Sequence, residues 1–88
     1  MIKADSTDRC FLCGRRGALQ VHHMMHGSRR KAADRYGLTV HLCIRCHGLL
    51  HDRGIYDLEL EQLAQEAFEE TYSHELWMKE FGKNYKEE

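Results

Sequence analysis

Four cysteines in two pairs, Cys10-x2-Cys13 and Cys43-x2-Cys46 with 29 residues between them, constrain this chain more than any other feature. A chain of 88 residues fits one domain and is marginal on apolar burial alone. Domains of this size are commonly held by disulfides, a metal or a partner. With three Phe, four Tyr and one Trp for a core, such a staple is needed here. The first eight residues are polar, without the apolar segment of a secretory signal. No apolar run approaches the ~20 residues that span a bilayer, so no membrane role is expected. The expected setting is a reducing cytoplasm, where paired CxxC motifs read as metal sites rather than disulfides. Cys10, Cys13, Cys43 and Cys46 are therefore expected to hold one structural Zn²⁺.

The net charge of -1 conceals an asymmetry. Residues 1–56 carry ten Lys/Arg against four Asp/Glu, whereas residues 57–88 carry three Lys against ten Asp/Glu. The basic part is suited to a polyanion and the acidic tail is not.

Local patterns divide the chain. Residues 1–9 read as a flexible leader. Cys10 to Gly14 has the form of a zinc knuckle. Ala18 to Met25 is a candidate strand, and Thr39 to Cys43 a second, with Val40 and Leu42 on one face. The basic stretch from Gly27 to Arg35 is a loop or short helix. A helix is predicted from about Cys46 to Asp52, stopped by Gly54. From Asp57, a plausible N-cap, the residues Leu60, Leu63, Ala64, Ala67, Phe68 and Tyr72 follow the helical apolar period. Ser73 can interrupt and recap this helix, Leu76, Trp77 and Phe81 continue its apolar face, and Gly82 can end it. The tail, 57–88, is thus expected to form an acidic amphipathic helical extension packed on a finger spanning 10–56. Its apolar face is also available to a homodimer or a protein partner.

Six of the seven histidines lie between residues 22 and 51. His47 and His51 are four apart and share a helix face, a good pair of chelators for one ion. His22 and His23 are adjacent, so on a strand they point to opposite faces and only one can join that ion. The other is free to face a substrate, giving an open metal site with a separate base.

The order Cys-x2-Cys, His-His, Cys-x2-Cys-His-x3-His resembles the HNH (His-Me finger) endonucleases of the zinc-knuckle type. The stretches VHHMMHG, YGLTVHLC and CHGLLH carry the resemblance, over roughly residues 10–52. HHMMHGSRRKAADRYGL, LAQEAFEETY and FGKNY also look like small phage-encoded HNH proteins, some associated with recombination. The resemblance implies an α+β fold, a zinc-stapled, treble-clef-like ββα-metal finger. It implies His22 as a ligand of a catalytic metal with His47 and His51, and His23 as the general base. The reaction implied is phosphodiester hydrolysis with Mg, Mn, Ni, Co or Zn, in a bacterial or phage-infected cell. DNA, bound with weak sequence preference, is the implied substrate. Arg15, Arg16, Arg29, Arg30, Lys31 and Arg35 flank the site and are candidates for phosphate contact. The chain departs from the family in lacking the middle Asn. Its sole asparagine is Asn84, and His41 and Thr39 are candidate replacements. The alternative is a non-catalytic zinc finger that binds DNA or recruits a partner in phage recombination or packaging.

Overall fold

The computed structural model describes residues 1–54 and 56–86. Ile55, within the expected finger, and Glu87 and Glu88, at the end of the extension, lie outside the described residues. The architecture is α+β. A two-stranded antiparallel sheet is formed by β1 (Leu19–His23) and β2 (Thr39–Cys43). Four α-helices accompany it among the described residues: α1 (Arg30–Arg35), α2 (Ile44–Arg53), α3 (Asp57–Thr71) and α4 (His74–Phe81). A single 3₁₀ turn, Gly27–Arg29, leads into α1. No described helix is long and apolar enough to cross a membrane.

The strands pair in register from Leu19↔Cys43 to His23↔Thr39. Val40 and Leu42, two apart, are both fully buried, as their alternation predicts. The first strand is shorter than expected, because after His23 the chain turns and Met24 and Met25 enter the core. Helix α2 starts two residues earlier than the pattern suggested. The Cys43 thiol caps it by accepting the amide of Cys46 at 3.4 Å. Gly54 ends it in the left-handed conformation, with its N–H on the Leu50 carbonyl at 2.9 Å.

Residues 1–9, expected to be a loose leader, contain two buried anchors. Ile2 is in the core and donates its amide to the Thr39 carbonyl. The fully buried Asp5 carboxylate accepts the amide of His41 at 3.0 Å and its Nδ1–H at 2.6 Å.

The C-terminal helices share the same core. Leu60, Ala64 and Phe68 of α3 are buried with Trp77 and Phe81 of α4, alongside Met24, Leu38, Val40 and Leu42. Ser73 breaks the helical run and caps α4, accepting the Leu76 amide at 3.1 Å. Gly82 ends α4 in the left-handed conformation. Two sequence expectations fail. Leu63 and Tyr72 are 39% and 49% exposed, although helical spacing assigned them to the core. They line a groove of about 530 Å³ with Tyr36, Leu38 and Phe68 instead. Asp57 does not cap α3: Tyr56 holds that position without a side-chain bond, and the Asp57 carboxylate turns to His26.

The stacked Trp77 and Phe81 rings, with centroids 4.1 Å apart, anchor the extension. Trp77→Ala should cost about 3–5 kcal/mol in urea unfolding. Leu63→Ala, at the rim of the groove, should cost under about 1 kcal/mol.

Candidate metal centres and the histidine cleft

The four cysteines come from two places. Cys10 and Cys13 sit on a tight turn closed by the Cys10 amide on the Arg15 carbonyl and the Gly14 amide on the Cys10 carbonyl, both at 2.9 Å. Cys43 ends β2, and Cys46 lies in the first turn of α2. Their sulfurs all lie within 4.8 Å of one another, so they can hold one metal ion such as zinc. The Cys13 and Cys43 sulfurs are 3.7 Å apart. Tetrahedral zinc with bonds of ~2.3 Å requires ~3.8 Å between sulfurs. Burial opposes a thiolate at Cys10, but the amides of Cys43, Cys13 and Leu12 outweigh it and bring the thiol down to about 6. Amides converging on a sulfur suit a metal-bound thiolate.

The second cluster is made of imidazoles. On β1, His22 and Gln20 project to the side of α2, whereas His23 projects the other way. His22 is 4% exposed, and its Nε2 is the one buried side-chain polar atom without a partner among the described residues. The His22 and His47 ring centroids are 5.3 Å apart, and those of His47 and His51 4.8 Å. Imidazoles bound to one ion at ~2.1 Å in tetrahedral geometry have centroids ~5.2 Å apart. The His22–His51 separation, 6.5 Å, is wider. His51 is exposed near the end of α2, so rotation about its side-chain bonds can narrow that gap. Unlike the thiols, these nitrogens are not already gathered around one point. His47 Nδ1–H donates to the Gln20 amide oxygen, leaving Nε2 with its lone pair. Such an outer hydrogen bond is what orients a metal-binding imidazole.

Burial pushes the His22 pKa down to about 4, with the positive charge of His47 and His26 adding to the effect and Asp57 opposing it. Burial, then His51, also lowers His47. Neutral imidazoles carry the lone pair that a metal takes.

A cleft of about 210 Å³ is lined by His22, His23, His26, His47, His51 and Arg30. His23 thus reaches the cleft while its Nε2 is 3.2 Å from the Asp34 carboxylate. A second cleft, about 180 Å³, shares His22, His26 and His51 and adds Leu50 and Asp57. His26, read as ordinary from the sequence, belongs to both: its ring is 5.6 Å from His22 and its Nε2–H bonds Asp57 at 2.6 Å. Nothing local signalled this contact, which spans 31 residues.

Of the six candidate phosphate-binding cations, Arg30 lines the cleft. Lys31 is exposed beside it on α1, and Arg15 and Arg16 are exposed after the knuckle. Two others are engaged by α4. Arg29 Nε donates to the Phe81 carbonyl at 2.7 Å, and Arg35 pairs with Glu80 at 3.3 Å. Neither candidate for the missing Asn lines the histidine cleft. His41 and Thr39 lie on the sheet face opposite His22, His41 with its Nδ1–H on Asp5 and Thr39 buried. Asn84 bonds Gln65 in the extension.

Comparison with known protein families, with curated proteins and with solved structures yields no significant match.

Elemental analysis should find zinc bound to the folded protein, and Cys46→Ser should lose it together with cooperative unfolding. The His22 pKa, ordinarily 6.5, falls to about 4 on folding. The unfolded chain therefore takes up a proton that the native protein refuses. This contribution is complete above pH ~6.5 and lost as the pH falls towards ~4. In urea unfolding over that window His22→Leu should show a shallower loss of stability than the wild type, the His47 contribution remaining.

Proposed function

We propose that this chain is a metal-dependent DNA endonuclease of the HNH type, built on a zinc-stapled ββα-metal finger. The observation that carries this reading is the buried, unpartnered Nε2 of His22 facing two helix imidazoles, beside a differently oriented His23 in one cleft. A buried polar atom without a partner is costly unless something else satisfies it. His22, His47 and His51 would hold a divalent ion, Zn, Ni, Mn or Co being better matched to imidazole than Mg. When bound, that ion supplies charge neutralisation at the phosphate and the leaving oxygen.

The chain's own residues do the rest. His23, as the neutral imidazole, takes a proton from a water at the cleft mouth. The hydroxide forms a bond to phosphorus as the bond to the 3′ oxygen breaks. The departing 3′ alkoxide takes a proton from a solvent water, leaving a 5′ phosphate and a 3′ hydroxyl, and His23 returns its proton to the hydroxide so formed. Arg30 contacts the phosphate, which positions DNA without reading its sequence. Arg29 serves the α4 contact, so Arg30 and Lys31 are the cations left to neutralise DNA beside the site.

The 6.5 Å between His22 and His51 favours a second reading, a finger that binds DNA without cutting it. Plasmid nicking decides between them. His23→Ala should lose ~10²–10⁴-fold in rate while keeping metal and DNA affinity. His47→Ala should lose the second metal and cleavage together, with the cysteine-bound zinc retained. A wild type inert with Mg, Mn, Ni, Co and Zn would favour the binding module.

Affinity for duplex DNA should fall steeply with salt. Neutralising Arg30 and Lys31 together should flatten the log–log slope by ~1.8 if each contacts one phosphate. An unchanged slope would leave this stretch as a solvated face.

A further inference from the structure

We infer that Asp34 is the positioning residue for His23, fixing its tautomer and aiming its other nitrogen at the cleft; this rests on reading His23 as the base. His23 Nε2 lies 3.2 Å from the Asp34 carboxylate. An ionised carboxylate only accepts, so the contact requires the proton on Nε2 and leaves the lone pair on Nδ1. A base needs that lone pair directed at the water it deprotonates, and an orienting carboxylate holds an imidazole in the required tautomer.

The fold holds this carboxylate in place from both sides along the chain. Asp34 follows Ala33, which is fully buried and whose carbonyl accepts the Leu38 amide at 2.8 Å. It precedes by two residues Tyr36, whose hydroxyl donates to Glu80 of α4 at 2.7 Å. The Asp34 side chain is itself 75% exposed and that of His23 19% exposed. A contact so open to water adds little to stability. Its effect is orientation, on a ring that lines the cleft with Arg30 and His47. The adjacent imidazole shows the contrast: His22, on the opposite face of β1, has no partner on Nε2. Of two neighbouring histidines, one is supplied with an orienting acid and the other is left bare.

The test uses the full chain with its zinc and compares Asp34→Ala, Asp34→Asn, His23→Ala and the His23→Ala/Asp34→Ala double variant. Two-bond ¹H–¹⁵N correlations at about pH 8, where an ordinary imidazole is neutral, report the tautomer directly. His23 should be protonated on Nε2 in the wild type and in Asp34→Asn, whose carbonyl oxygen still accepts. In Asp34→Ala it should relax to a mixture. In cleavage, Asp34→Ala should lower kcat about tenfold with KM and metal content unchanged, and Asp34→Asn should restore most of it. The double variant should be no slower than His23→Ala. A purely structural role would not produce this non-additivity. An active wild type and an inactive His23→Ala, beside an Asp34→Ala protein with unchanged tautomer and rate, overturns this inference alone. An inert wild type, or a His23→Ala protein that cleaves normally, overturns the base assignment and this inference with it.

Discussion

Four sulfurs within 4.8 Å of one another bring together three parts of the chain, close enough to hold one metal ion. The knuckle brings Cys10 and Cys13, the end of β2 brings Cys43, and the first turn of α2 brings Cys46. Because Cys43 is also paired with Leu19, the cluster sits directly on the strand ladder. The Phe11 amide reaches the His41 carbonyl at 2.8 Å, so the knuckle is stitched to the same strand. A metal shared at this point would set the angle between sheet and helix. That angle decides whether the imidazoles of β1 and α2 meet.

The extension secures the opposite side of the histidine cleft. Asp57 holds His26, the Phe81 carbonyl holds Arg29, and Glu80 holds Tyr36 and Arg35. The segment between the two strands is thereby clamped by α3 and α4. The end of the described chain is fixed in turn by a buried glutamine. Gln65 accepts the Tyr85 amide and donates to Asn84 and Glu69. The acidic helices thus complete the surroundings of the site while their charged faces remain in water.

Much of this was legible in the sequence where the signal is local. The CxxC spacing announced the thiol cluster. Alternation in Thr39–Cys43 gave β2 to the residue, and Gly54, Ser73 and Gly82 marked helix ends through backbone conformation or a side-chain cap. The adjacency of His22 and His23 foretold that one would face α2 and the other would not. The missing parts depend on contacts distant in sequence. Asp5 and His41 meet across 36 residues, and His26 and Asp57 across 31. Helical period indicated an apolar stripe on α3 but not its width, so Leu63 and Tyr72 were assigned to a core that closes without them. The charge count identified basic residues near the cleft but not that Arg29 and Arg35 are occupied by α4.

The sheet is only five residue pairs long, and its parity carries the difference between the two central histidines. Side chains alternate along a strand, so a slip of one position against β2 would turn His22 outward and His23 towards α2. The acceptor Asp34 would then stand beside a ring facing helix imidazoles, and the buried pocket would receive the wrong neighbour. A metal on Cys43, opposite Leu19, would oppose that slip. Length changes in the turn between the knuckle and β1 are therefore tolerable only where they leave this pairing untouched, whereas a one-residue insertion between Leu19 and His22 would exchange the two roles without altering either histidine.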